Sequence, residues 1–170
     1  MKTDMEPTGA DVRDFESFFQ REYEQLFRAL VLASSNTQDA EDLAQEAMAR
    51  LLERWDRLDH VDSRHSYLYA VAFNLLRRRR RRDAMFLRFV RGSRGDLSIE
   101  GPEGLHAVLA AINDLPPGQR DALVLVEWLG LTSVEAAEVL HIKPASVRGR
   151  IHQARERLQS DLGIEVSRDE

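Results

Sequence analysis

The chain has 170 residues, 43% of them hydrophobic, and a formal net charge of -5, which allows one medium core or two small ones. It contains no cysteine, so disulfides, thiolate metal sites and a cysteine nucleophile are excluded and a reducing cytoplasm is compatible. No apolar run approaches the ~20 residues needed to cross a bilayer, and the acidic N-terminal stretch is unlike a signal peptide. With no HExxH, no Gly-rich phosphate loop and no nucleophile-base set, the expectation is a soluble, cytoplasmic, non-enzymatic protein without metal or cofactor.

The first half reads as helix. Phe15, Phe18, Phe19, Tyr23, Leu26, Phe27, Leu30 and Val31 recur at three- and four-residue intervals and form one broad apolar stripe. Ser34 to Gln38 break it. A second helix is expected from Thr37 or Asp39 to about Leu58, with Ala40, Leu43, Ala44, Ala47, Met48, Leu51, Leu52 and Trp55 inward. Its polar face carries Asp39, Asp42, Gln45, Glu46 and Arg50. Acids in a first helical turn offset the helix dipole, but Gln45 and Glu46 continue the face one turn further, as a protein-docking surface would. Leu58 to His65 has no period and reads as a loop. From Ser66 to Arg82 a third helix puts Leu68, Val71, Ala72, Leu75 and Leu76 inward and ends in six consecutive arginines, Arg77 to Arg82.

An arginine run alone is weak evidence, since cations also complement a helix C-terminus. This one continues a face bearing Tyr67, Tyr69, Phe73 and Asn74, and aromatic and amide groups beside arginines suit unstacked bases and phosphates. Phe73 is equally compatible with the core. Trp55 and Trp128 read as packing anchors.

Asp83 to Gly104 contains Gly92, Gly95, Gly101, Pro102 and Gly104 and reads as a linker. Beyond it the pattern predicts a short helix from about Pro102 or Leu105 to Asn113, a turn at Leu115 to Gly118, and a helix to about Trp128. Thr132 and Glu135 are spaced as a capping box opening a helix with Ala136, Ala137, Val139 and Leu140 apolar. His141 to Lys143 form a turn, and Pro144 suits the first position of a last helix.

At roughly 100° per residue, Val147, Ile151, Ala154 and Leu158 fall on one side of that last helix. Ala145, Ser146, Arg148, Gly149, His152 and Gln153 then point outward, with Arg150, Arg155 and Arg157 on the flanks. This pairing of short helices with a basic second member is how a helix-turn-helix reads duplex DNA: arginine bonds guanine bidentately, Ser and Gln read base edges, and flanking arginines hold phosphates. Gly149 costs about 1 kcal/mol against alanine in a helix, which makes sense if bulk there meets DNA. The negative net charge is no obstacle, because residues 77–94 carry +8 and residues 141–158 carry +4, and compact fields of one sign bind phosphate whatever the total.

With both halves in view, the chain resembles an extracytoplasmic-function sigma factor of the bacterial sigma-70 family. The segments DAEDLAQEAMARLLERW (39–55) and SYLYAVAFNLLRRRRRR (66–82) resemble domain two of that family, and INDLPPGQRDALVLVEWLGLTSVEAAEVLHIKPASVRGRIHQARERL (112–158) resembles domain four. The resemblance implies an all-α fold of two small helical domains joined by a flexible linker, the C-terminal one a helix-turn-helix (winged-helix-like) domain: domain two over 12–82, linker over 83–102, domain four over 103–160. It implies that Asp39, Asp42, Gln45 and Glu46 dock on core RNA polymerase. His60, Asp62, Ser63, Asn74, Arg77 and Arg78 would meet the promoter -10 element, and Ser146, Arg148, Gly149, Arg150, His152, Gln153 and Arg155 the -35 element. Core polymerase, promoter DNA and an anti-sigma factor are the implied partners. The chain departs from the family pattern at Tyr67, where tryptophan is usual, at Phe73, where an arginine often precedes the asparagine, and at His141, where the turn usually has glycine. A stand-alone helix-turn-helix regulator is the competing reading; it would dimerise on a palindrome with half-sites about one helical turn apart.

Overall fold

The computed structural model describes residues 9–58, 61–87 and 103–163, and among these every regular element is helical. In chain order they are α1 (Gly9–Ser34), α2 (Thr37–Leu52), a 3-10 turn (Trp55–Arg57), α3 (Val61–Leu87), α4 (Glu103–Asp114), α5 (Pro117–Leu123), a π turn (Val124–Trp128), α6 (Ser133–Leu140) and α7 (Pro144–Leu162). None of these helices is long and apolar enough to cross a membrane.

The break between α1 and α2 is tight. Ser35 takes φ 60°, uncommon for a residue with a side chain, and the Asn36 side chain caps α2 by accepting from the Asp39 amide at 2.9 Å. The apolar face of α2 is buried at Ala40, Leu43, Ala44, Ala47, Met48 and Leu51, but Leu52 stays exposed and α2 ends there, six residues short of the expected Leu58. The chain then folds Trp55 inward. Its ring meets Phe15 and Phe18 edge-on, and the Arg64 guanidinium lies 3.7 Å over its face while Arg64 Nε donates to the Leu58 carbonyl at 2.8 Å.

Helix α3 is longer than the sequence pattern suggests at both ends. It starts at Val61 rather than Ser66, so Asp62 and Ser63 belong to its first turn and not to a loop, and it runs past Arg82 to Leu87. The expected linker therefore loses its first residues to helix; its remainder, residues 88–102, lies outside the described residues, as does His60. Val61, Asp62 and Ser63 are too few residues to show a period, and Ala84, Met85 and Leu87 are good helix formers that carry α3 past the arginines taken as its end.

The second half follows expectation closely. The Thr132–Glu135 capping box is complete, with Glu135 N donating to Thr132 Oγ1 at 3.2 Å and Thr132 N donating to Glu135 Oε2 at 2.7 Å. Those bonds hold the Glu135 carboxyl below the usual carboxylate range. A depressed native value stabilises the fold only while the carboxylate is ionised, so this contribution is whole at neutral pH and is lost as pH falls through the lowered native value; a stability profile of Glu135→Gln should lack that acid-side component. His141 closes α6 in the left-handed conformation at φ 54°, a place where a histidine is tolerated better than a β-branched residue. Lys143 precedes Pro144 at the start of α7, and Val147, Ile151 and Ala154 are buried as the helical wheel requires.

The two halves are not separate in space. One continuous apolar cluster runs from Phe18, Leu26 and Leu30 of α1 through Leu68, Phe73 and Leu76 of α3 to Leu125, Leu129, Val139 and Leu140. α3 lies against α6, and α1 against α4, α5 and the π turn.

Candidate nucleic-acid interface

The outward face of α7 is bare. Ala145, Ser146, Arg148, Gly149, His152 and Gln153 are all exposed, with the helix held from behind by Val147, Ile151 and Ala154. Gln153 accepts from Gln119 Nε2 at 3.2 Å, and His152 lies 3.4 Å from Glu156. A Cβ added at Gly149 would have nothing within 4 Å, so no internal contact requires glycine there. Gly149→Ala is expected to stabilise the folded chain by about 1 kcal/mol while weakening -35 recognition. A denaturant titration beside a promoter-binding measurement checks that split, and unchanged binding would leave the glycine without a DNA-side reason.

The three flanking arginines differ. Arg155 is paired with Glu127, Arg150 is half-buried, its guanidinium 3.1 Å from where a Cβ at Gly118 would stand, and Arg157 is exposed. Arg150 lines a cleft of about 400 Å³ together with Arg77, Arg80, Arg81, Asp121 and Ile142.

The arginine run on α3 divides by helical face. Arg79 reaches α2, 2.6 Å from Asp39 and 3.4 Å from Asp42. Arg77 and Arg80 turn to the second half: Arg77 Nη1 donates to the Leu140 carbonyl at 2.7 Å, and Arg80 grips Asp121 with Nη1 at 2.7 Å and Nη2 at 3.0 Å. Arg78, Arg81 and Arg82 are exposed. Asn74 is half-buried and accepts from Arg77. Burial pushes the Arg77 guanidinium below its ordinary value, and neighbouring Arg81 and Arg80 add to that against the pull of Asp121.

The aromatic face that the sequence offers to bases is largely internal. Phe73 is fully buried, which settles it as core. Tyr69 is buried too, and its hydroxyl is pushed well up by burial first and by Glu22 second. Tyr67 remains half-buried, with Arg54 5.8 Å from its ring centroid. Trp128 goes the other way. Read as a packing anchor beside Trp55, it is 45% exposed, because the π turn, in which Leu129 N bonds the Val124 carbonyl at 3.0 Å, widens the helix by a residue and rotates it off the core.

On α2, Asp42, Gln45 and Glu46 are exposed and Asp39 is half-buried. Glu46 pairs with Arg50 at 2.6 Å. Sequence reasoning missed Arg64, Arg120 and Asp121, none of which lies on a face that marks it, and saw Arg80 only as one member of the arginine run. Among the described residues no cluster of His, Asp or Glu could hold a metal ion.

Two family models match the chain: Sigma-70 region 2 over residues 18–85 and Sigma-70, region 4 over residues 105–158. A probable RNA polymerase sigma-C factor of Mycobacterium bovis is 31% identical over 155 residues, covering 88% of this chain and 83% of that protein. The chain belongs to the sigma-70 family, in its extracytoplasmic-function class. It is thus a sigma factor, the kind of protein that recognises -10 and -35 promoter elements for RNA polymerase and promotes DNA opening. The sigma-E factor of Streptomyces coelicolor is 26% identical, covering 94% of this sigma factor and 90% of its own length. Among solved structures, the sigma factor RpoE of Bartonella quintana, in complex with the anti-sigma factor NepR, superimposes with a TM-score of 0.82 at 21% identity, covering 91% of this chain and 99% of that one. CnrH, in complex with the cytosolic domain of CnrY, gives 0.65 at 24% identity, covering 91% of each. These likenesses bear on the fold, including the packing of one half on the other.

Proposed function

We propose that residues 12–82 act as sigma domain two, residues 83–102 as the connection and residues 103–160 as sigma domain four, and that each carries one half of promoter recognition. Domain two docks on core RNA polymerase through Asp39, Asp42, Gln45 and Glu46 and meets the -10 element through His60, Asp62, Ser63, Asn74, Arg77 and Arg78. Domain four reads the -35 element through Ser146, Arg148, Gly149 and Gln153, with His152, Arg150 and Arg155 beside them. The observation that carries this reading is the bare polar face of α7, whose apolar side is buried and whose glycine has open space over it. The chain makes no covalent chemistry of its own; it works in the cytoplasm, where polymerase is, and an anti-sigma factor of the kind bound to the Bartonella quintana protein is a fitting partner.

In vitro transcription with core polymerase, with and without this chain, on a promoter library tests the assignment. Initiation dependent on the chain is the expected result. A protein that never directs initiation yet shifts duplex DNA alone at moderate salt would overturn it in favour of a stand-alone regulator.

Within domain four, Arg148→Ala should cost about 1 to 3 kcal/mol and relax the preference at one or two base pairs of the -35 element. Equal weakening on every sequence would make Arg148 a phosphate contact instead.

A further inference from the structure

Four guanidinium groups line one open cleft. Its volume is about 400 Å³, within the range of small-molecule sites, and Arg77, Arg80, Arg81 and Arg150 share it with a single carboxylate, Asp121. That carboxylate is already taken by Arg80, at 2.7 and 3.0 Å, and Arg77 donates to the Leu140 carbonyl at 2.7 Å. Arg81 and Arg150 have no hydrogen-bond or ion-pair partner among the described residues. Arg77 and Arg81, four apart on α3, share a face of that helix. Arg150 reaches the cleft because residue 118 is glycine: a Cβ there would stand 3.1 Å from its Nη1 and 3.2 Å from its Cζ and would push the guanidinium aside. Burial holds Arg77 below its ordinary value, and Arg81 and Arg80 lower it further against the pull of Asp121. The cations therefore repel one another, and an anion placed among them relieves that repulsion.

We propose that this cleft binds a nucleoside polyphosphate, its phosphates held by Arg81 and Arg150 in the field of Arg77 and Arg80 and its base against Leu140 and Ile142. Three features select that class. Guanidinium forks match phosphate oxygens, and several cations facing one carboxylate call for more than one negative charge. Leu140 and Ile142 add apolar lining, which suits a flat base, and arginine planes stack on aromatic faces. A bare sugar phosphate would need free amides or carboxylates for its hydroxyls, and the one carboxylate here is committed to Arg80. The site is also concave, whereas the exposed face of α7 is the surface that suits a duplex. Binding rests on the cleft alone. Arg77 and Arg150, assigned above to promoter DNA, are then shared between nucleotide and promoter, a consequence that rests on that assignment.

Isothermal titration calorimetry of the full chain with ATP, without divalent cations, should show one saturable site. Adenosine, which lacks phosphate, should not bind, and inorganic tripolyphosphate should bind about tenfold more weakly than ATP, the worth of stacking one base. Arg81→Ala, at an exposed position, should weaken ATP binding about tenfold, the loss of one charge-assisted bond. Gly118→Ala keeps every charge and should still weaken binding, because it displaces the Arg150 guanidinium. Arg82→Ala removes an exposed arginine of the same run that does not line the cleft and should leave ATP binding unchanged. Thermal unfolding of each variant checks that the fold is kept. Equal losses from Arg81→Ala and Arg82→Ala, with Gly118→Ala like the wild type, would reduce the effect to diffuse attraction by the arginine run and overturn the site. Absence of saturable binding, or adenosine binding as tightly as ATP, would overturn it too. Tripolyphosphate binding as tightly as ATP would overturn the nucleoside assignment and leave an inorganic polyphosphate as the ligand. ATP binding that depends on Arg81 and Gly118 in a chain that directs no transcription would instead refute the promoter assignment and leave the site standing.

Discussion

Phe73→Ala is expected to cost about 3 to 5 kcal/mol of folding stability, the usual range for removing a fully buried phenylalanine ring. Phe73 has no exposed surface and lies in the continuous cluster that joins α1, α2 and α3 to the second half, so its removal opens a cavity in the main core. Urea denaturation followed by circular dichroism measures the loss. An alternative role for Phe73 at the -10 element is sharply separable: a DNA contact would lose promoter activity with stability intact. The buried ring predicts the reverse order, with promoter activity falling only as the folded fraction falls.

Asp42→Arg is expected to weaken binding of core polymerase by at least about 2 kcal/mol, roughly thirtyfold, since a charge reversed at an interface exchanges attraction for like-charge repulsion. Asp42 is half exposed and its 3.4 Å approach to Arg79 is the longer of that arginine's two contacts. Surface pairs of this kind contribute little to folding, so the melting temperature should move only slightly. Binding measured by fluorescence anisotropy and thermal unfolding on the same variant check the two halves of the statement. A large loss of stability with unchanged polymerase affinity would show that Asp42 serves the first turn of α2 rather than a partner.

Those two residues also mark the limit of helical-wheel reasoning. Asp42, with Gln45 and Glu46, was legible as a polar face because an amphipathic period sorts side chains by direction. Phe73 was not, because an aromatic beside an amide and six arginines fits a base platform and a core equally well in one dimension. Trp128 failed for a different reason: its period assumes 3.6 residues per turn, and the π turn at Val124–Trp128 breaks that assumption. The C-terminal end of α3 failed because Met85 and Phe86, though apolar, are exposed and do not continue the buried period of the helix.

By itself the sequence determined the helical class, the capped and turned pair of helices over residues 132–158, the buried and bare sides of α7, and the two segments whose order the family models match. All of these depend on neighbours within four residues or on the period of one helix. Only the tertiary structure decided what the arginine run does. Six identical side chains advance about 100° per residue, so they point in different directions. Arg79 meets Asp39 on α2, Arg77 the end of α6, Arg80 a carboxylate 41 positions away, and Arg78, Arg81 and Arg82 solvent. Which of them is free for a phosphate depends on what packs against each face, and that is a property of the assembled fold.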